Sequence, residues 1–447
     1  MHKFAEKIVQ VFQRYVPEPL AFGLLMTLVA IGLCWLATPS TPIEIVRAWG
    51  DGLSALLSFI AQVCLTILFA FTLAHLDPIP KYLQKLAGVP QTPGQAYMFC
   101  VLFTGLICLF AWPLGTIVGG LMARQVALSC AARGLKVHYP LLGGAAFSGF
   151  VVWHMGYTAT APLMVATPGN ALESLIGAVI PVTQTILHPQ NLLTIAGTLA
   201  LLMWLAPRLE PQSVEPIANN ISDEADNAAL TEETQTQSVA SLIENKRWLT
   251  TAAGLLLGGY LVHWFANNGL QLDLNVVNWS FLTLCLLLAP SARKLSEVMM
   301  EGGRAIVPTL MQYPIYGGIM GMMLGTGLVA QIAAWFAANA SAQTLPFLAF
   351  LSGGLINLFV PSGGAQWAVQ GPAFIEAAQQ LGTPVELIVM GVAYGDQWTN
   401  IIHPFVVIPL LIMTGLKANQ VLAYSFILFL LATVPLAASL LWAGFTF

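Results

Sequence analysis

Eleven apolar runs follow one another through this chain, at about residues 20–37, 53–74, 97–121, 140–163, 190–207, 248–265, 275–290, 305–325, 345–359, 387–411 and 419–444. A helix of roughly 20 apolar residues crosses the hydrocarbon core of a bilayer, so the runs make an all-α membrane protein the expected class. The charge content agrees. Only 8% of the 447 residues are Asp, Glu, Lys or Arg, against about 25% in soluble domains. A soluble enzyme of this size is excluded, and no basic footprint for nucleic acid is present. The first run, preceded by Lys3, Lys7 and Arg14, is long enough to span and lacks a following small-x-small site, so it is expected to be a retained span. The six cysteines are scattered through apolar runs without metal-ligand spacing and are expected to be small buried hydrophobes.

The basic residues orient the runs. Lys3, Lys7 and Arg14 put the N-terminus in the cytoplasm by the positive-inside rule. If 97–121 simply crossed, Arg124, Arg133 and Lys136 would all fall outside. Trp112-Pro113-Leu114-Gly115 breaks that run, because Pro and Gly interrupt a helix. A re-entrant hairpin over 97–129 returns the three charges to the cytoplasm. No Lys or Arg occurs between Arg304 and Lys417, and a second hairpin over 345–380, with its tip at Pro361-Ser362-Gly363-Gly364, accounts for that stretch. The expected fold is an inverted-repeat transporter with about nine transmembrane helices and two re-entrant hairpins, its C-terminus periplasmic. The division expected is an N-terminal repeat (1–207), an acidic cytoplasmic linker (208–247), a connecting span (248–274) and a C-terminal inverted repeat (275–447).

Three sequence matches support the repeat. Leu106-Ile-Cys-Leu-Phe110 precedes the first tip and Leu355-Ile-Asn-Leu-Phe359 the second. Asp51-Gly52 corresponds to Glu301-Gly302, and Gly156-Tyr157 loosely to Gly395-Asp396. Matched Gly/Pro-interrupted segments in two inverted halves point to a transporter's binding site. Broken backbone at membrane depth survives only where it is buried in protein or lines a wet cavity, and helix N-termini there carry partial positive charge suited to an anion.

The candidate site residues follow from polarity at depth. In the second hairpin they are Asn357, Pro361, Ser362, Gly363, Gly364, Gln366 and Gln370. In the broken span 387–411 they are Asp396, Gln397, Thr399, Asn400 and His403. An intramembrane acid such as Asp396 is a functional residue by default, with an N-cap as its structural role. In the first half the candidates are Trp112, Pro113, Gly115, His154, Gly156 and Thr158. His154 and His403 are protonation candidates. Trp49-Gly50-Asp51-Gly52 is expected to cap the second span. No cofactor and no metal centre is expected. Asp396 is expected to bind a cation or carry a proton, and a sodium ion would sit near Asn357, Ser362 and Asp396.

The segments VPSGGAQWAVQGP (360–372), AYGDQWTNIIHPF (393–405), ATPGN (166–170) and WGDG (49–52) resemble the bacterial short-chain fatty acid uptake family, which includes acetoacetate and butyrate transporters. The resemblance covers essentially the whole chain. It implies a cytoplasmic-membrane carrier for short monocarboxylates, within an ion-transporter superfamily built from inverted repeats. It also implies elevator-like alternating access driven by H⁺ or Na⁺, a homodimer, and Pro361 to Gly364, Trp367, Gln370, Asp396, Gln397 and Asn400 as site residues. The alternatives are a carrier of another small carboxylate such as a dicarboxylate, an anion channel, and a membrane-embedded enzyme, for which no catalytic motif is present.

Overall fold

The computed structural model describes residues 2–170, 172–211, 214, 243–269 and 274–447. From the N-terminus, α1 (His2–Tyr15) leads to α2 (Pro19–Ala37), α3 (Pro42–Ala55), α4 (Leu57–Ala74) and the short α5 (Ile79–Ala87). α6 (Pro93–Phe110) and α7 (Trp112–Ala132) follow. α8 (Tyr139–Ser148) continues as a 3-10 helix, Gly149–Met155, and after a turn comes α9 (Thr160–Ala166), then α10 (Glu173–Ile176) and α11 (Pro189–Leu205). The second half comprises α12 (Arg247–Asn268), α13 (Leu274–Leu288), α14 (Ala292–Gly303), α15 (Val307–Gly325), α16 (Leu328–Ala338), α17 (Leu345–Asn357), α18 (Gly363–Leu381), α19 (Val385–Asn400), α20 (Ile408–Thr414) and α21 (Ala418–Thr446). Apart from its ends and residue 214, the expected linker 208–247 lies outside the described residues.

Among the described residues seven helices are long and apolar enough to cross a membrane, with Pro42–Ala74 taken as one. The pair α15–α16, bent by 58°, brings the number to eight. Both arms of the first hairpin, Pro93–Phe110 and Leu114–Ala132, are among the seven, and the shorter apolar helices are Asn275–Leu288 and Leu345–Asn357.

Each hairpin is two antiparallel arms in contact. In the first, a methyl group on Gly115 would overlap Cys108 Sγ, and one on Gly119 would come 2.5 Å from Thr104 Oγ1. The chain turns at Ala111, in extended conformation, and Pro113 sits in the first turn of α7, where its missing N–H costs nothing. In the second, Gln366 Nε2 donates to Gly353 O at 2.9 Å and Ser352 Oγ donates to Gln370 Oε1 at 3.2 Å. The tip occupies Leu358–Ser362 and α18 begins at Gly363.

Close glycine contacts reveal how the halves correspond. Gly149 seats on α6 against Val101 O and Gly105 N, and Gly395 seats on α17 against Phe350 O and Gly354 N. Val101 and Gly105 stand 249 residues before Phe350 and Gly354. Gly149 is therefore the counterpart of Gly395, which corrects the register that paired Gly156 with it. Gly156 instead packs directly on the Leu109 backbone. Likewise Gly52 of α3 meets Gly317 and Gly321 of α15, while Gly302 of α14 meets Leu68 and Phe71 of α4. The tetrad 49–52 thus lies inside a helix and does not cap a span. α3 starts at Pro42, behind a reciprocal capping box between Thr41 and Glu44. The second piece of each broken span packs on the opposite hairpin. Gly120 of α7 faces Met413 and Leu410 of α20, and Gly364 of α18 faces Met164 of α9. All six cysteines are buried and free.

Candidate functional site

The hairpin tips, the turn between the 3-10 helix and α9, and the end of α19 enclose a cavity of about 610 Å³ against α4 and α15. Its polar lining comes from Thr158, Thr160, Ser362 and Asn400 among others, and its aromatic lining includes Phe59, Trp112, Phe150, Trp153, Tyr313 and Phe405. Among the described residues no Asp, Glu, Lys or Arg lines it. An anion bound here would rely on hydroxyls, amides and backbone N–H groups.

The two hairpin helices offer those N–H groups unequally. At the start of α7, Trp112 N–H donates to Thr158 Oγ1 at 3.1 Å, Pro113 has no N–H, and Leu114 N–H donates to Ala111 O at 3.0 Å. At the start of α18 no side chain caps the helix. The N–H groups of Gly363, Gly364 and Ala365 have no acceptor among the described residues. A helix N-terminus with free N–H groups attracts an anion, through both the donors and the helix dipole.

Directly behind the α18 tip lies a buried histidine–carboxylate pair. A methyl group on Gly363 would overlap His154 Cε1 and come 2.5 Å from Thr160 Oγ1, so the tip rests on the imidazole edge. His154 Nδ1 is 2.8 Å from Asp396 Oδ2, and both side chains are about 1% exposed or less. Ala161 N–H donates to His154 Nε2 at 3.0 Å, and Thr160 Oγ1 lies 2.9 Å from the same nitrogen. Because Nε2 accepts, the proton of the neutral ring is on Nδ1 and is donated to the Asp396 carboxylate. The His154 N–H donates to Gln397 Oε1 at 2.8 Å. Asp396 Oδ1 and Gln397 Nε2 have no partner among the described residues. Asp396 sits within α19, not at a helix start, so it does not act as an N-cap. The helix runs on to Asn400 and the break falls after it.

The short chain fatty acid transporter family matches residues 1–443 of this sequence. The chain belongs to that family. A relative from Escherichia coli (strain K12), named for short-chain fatty acid transport, is 34% identical over 418 residues, 92% of each chain. A relative from Haemophilus influenzae carrying the same name is 31% identical over 419 residues, covering 92% of this chain and 93% of its own. Among solved structures, the Alcanivorax borkumensis YdaH transporter is 17% identical and matches with a TM-score of 0.40, over 96% of this chain and 99% of its own. The Neisseria gonorrhoeae protein MtrF, of a class of antimetabolite efflux pumps, is 13% identical and also matches at 0.40, over 98% and 97%.

Within this family member the candidates from the sequence divide into three groups. Trp112, Thr158, Pro361, Ser362, Gly363, Gly364 and Asn400 line the cavity. His154, Asp396, Gln397, Asn357 and Thr399 form the layer behind it. Asn357 Nδ2 donates to Thr399 Oγ1 at 2.9 Å and to Asn400 Oδ1 at 2.7 Å, tying the second hairpin to α19. The rest are not among the cavity-lining residues. Gln366 and Gln370 join the arms of the second hairpin, Trp367 is fully buried, and Gly115 and Gly156 allow backbone approach. Pro113 starts α7. His403 is a staple, since its Nδ1 accepts from Phe405 N–H and its Nε2–H donates to Leu358 O at 3.1 Å. Thr160, Phe150 and Trp153 were not singled out from the sequence, although they flank His154. Phe59 and Tyr313 sit in unbroken apolar runs that carry no signal.

Proposed function

We propose that this transporter imports short-chain monocarboxylates of the butyrate and acetoacetate type across the bacterial inner membrane. The N-terminus would be cytoplasmic and the C-terminus periplasmic. The carrying observation is the open N-terminus of α18 at the cavity, seated on a buried His154–Asp396 pair. The carboxylate would bind at Gly363 and Gly364 with Ser362, Thr160 and Asn400 around it. Uptake would be coupled to a cation and proceed by elevator-type alternating access.

The pair favours the proton as that cation. Nε2 of His154 either accepts from Ala161 N–H or carries a proton, but not both. Protonation would therefore loosen the start of α9 under the hairpin tip, and the adjacent Asp396 carboxylate would neutralise the imidazolium. A sodium reading rests on a different observation. Asp396 Oδ1, Asn357 Oδ1 and Gln366 Oε1 are buried oxygens without partners among the described residues, and oxygens of this kind suit a hard cation.

Uptake of radiolabelled butyrate into proteoliposomes decides, with a pH gradient, a Na⁺ gradient or neither, for wild type and Asp396→Asn. Protein-free liposomes measure the leak of undissociated acid. Uptake driven by the pH gradient and lost in Asp396→Asn supports the reading. Uptake driven by Na⁺ alone replaces the proton with sodium. No uptake under any gradient, from folded protein, sinks the monocarboxylate assignment.

A further inference from the structure

We infer that the N-terminal hairpin tip holds the acyl tail of the substrate, and that Trp112 sets the chain length accepted. The inference rests on the carboxylate-import reading and gives the substrate a direction within the cavity. The first three positions of α7 have their N–H groups satisfied or missing, through Thr158, Pro113 and Ala111, so none of the three is open to an anion. The α18 start offers three free donors. A carboxylate therefore goes to the C-terminal tip.

The wall left for the tail is aromatic and continuous. Trp112 lies 5.4 Å, centroid to centroid, from Trp153, 6.5 Å from Phe150 and 6.3 Å from Phe59, and Phe150 lies 6.0 Å from Trp153. All four rings line the cavity. Trp112 touches each of the other three, so its indole closes the wall and removing it lengthens the available space. Its counterpart 249 residues on is Pro361, which has no comparable bulk. The two tips are thus differentiated into an apolar end and a donor end. An apolar wall discriminates between chain lengths by the transfer energy of each methylene, worth about fourfold in binding.

The test is competition against labelled butyrate uptake in proteoliposomes by unlabelled acetate, butyrate, hexanoate and octanoate, for wild type, Trp112→Ala and Trp112→Phe. In Trp112→Ala the potency of hexanoate relative to butyrate is expected to rise about fifteenfold, the work of two methylenes. Trp112→Phe shifts it in the same direction by less, and carries the test alone if the alanine variant does not fold. An unchanged ratio, or an equal loss of potency for all four acids, overturns the assignment while leaving carboxylate import intact. Failure of the wild type to take up any of these acids overturns import itself, and this inference with it.

Discussion

In the N-terminal hairpin the arms meet at Cys108 and Gly115. In the C-terminal hairpin, 249 residues further on, the same places hold Asn357 and Gly364. Ile117 and Leu121 of α7 likewise correspond to Gln366 and Gln370 of α18. In the broken spans, aligned through Gly149 and Gly395, Phe150 and Val151 stand where Asp396 and Gln397 stand. The backbones follow one plan, yet in the hairpins and broken spans the buried amide and carboxylate side chains collect in the C-terminal half. The difference teaches how the repeat divides its work. Symmetric glycine contacts set the architecture, and the asymmetric side chains set the chemistry. The halves still depend on each other at the centre, because the polar residues Asp396 and Gln397 are held by His154 of the apolar half.

The largest expected effect is that of Asp396→Asn. Removing one member of a buried, hydrogen-bonded charged network costs roughly 2–5 kcal/mol. Gradient-driven butyrate uptake should therefore fall about 30-fold or more, with the protein still folded by size-exclusion chromatography. Undiminished uptake would end the idea that the His154–Asp396 pair carries the coupling proton.

Gly363→Ala comes next. Its methyl group has no room beside His154 and Thr160, so the tip must shift, and a displacement near 1 Å is worth up to about 100-fold in a positioned site. Uptake should fall at least tenfold while the melting temperature holds. Gly115→Ala should show the reverse balance, because its methyl group strikes Cys108 between the two arms. Loss of folded protein is the expected readout there. Equal behaviour of the two variants would erase the division between architecture and chemistry.

Asn357→Ala removes two hydrogen bonds and leaves buried partners behind, a loss of about 1–3 kcal/mol. Thermal unfolding in detergent should register it, whereas Cys108→Ala at the equivalent position should cost less. The smallest effects belong to the caps. Thr41 accepts from Glu44 N–H at the start of α3, and Ser291 accepts from Lys294 N–H at the start of α14. Thr41→Ala and Ser291→Ala should each cost about 1 kcal/mol, equally, with uptake unchanged. A large functional effect from either would show that these paired helices do more than frame the cavity.

Much of the fold was legible in the residues. The Leu-Ile-x-Leu-Phe match gave the repeat spacing of the hairpins, because both first arms face the same packing problem. The Pro-Gly interruptions marked both tips, since those residues act on the local backbone. The broken spans were less legible. Their register depends on Gly149 and Gly395 meeting carbonyls on another helix, and nothing beside Gly149 in the chain announces that contact. The tetrad at 49–52 misled for the same reason, as a glycine serving a helix crossing looks like a glycine serving a turn. At the site, Ser362, Gly363, Gly364 and Asn400 stood out as polar or small groups at membrane depth. Thr160, Phe59 and Tyr313 did not, because their surroundings are ordinary until the chain is folded.

The sequence by itself determined the membrane environment, the helix breaks and the donor-rich tip at 361–364. These follow from hydropathy and from the backbone limits of Pro and Gly, which act within a few residues. Only the tertiary structure decided that His154 is the partner of Asp396, that the α7 start is closed by Thr158 while the α18 start is open, and which rings line the cavity. Those facts depend on contacts between segments far apart in the chain, where geometry and not local preference sets which donor meets which acceptor.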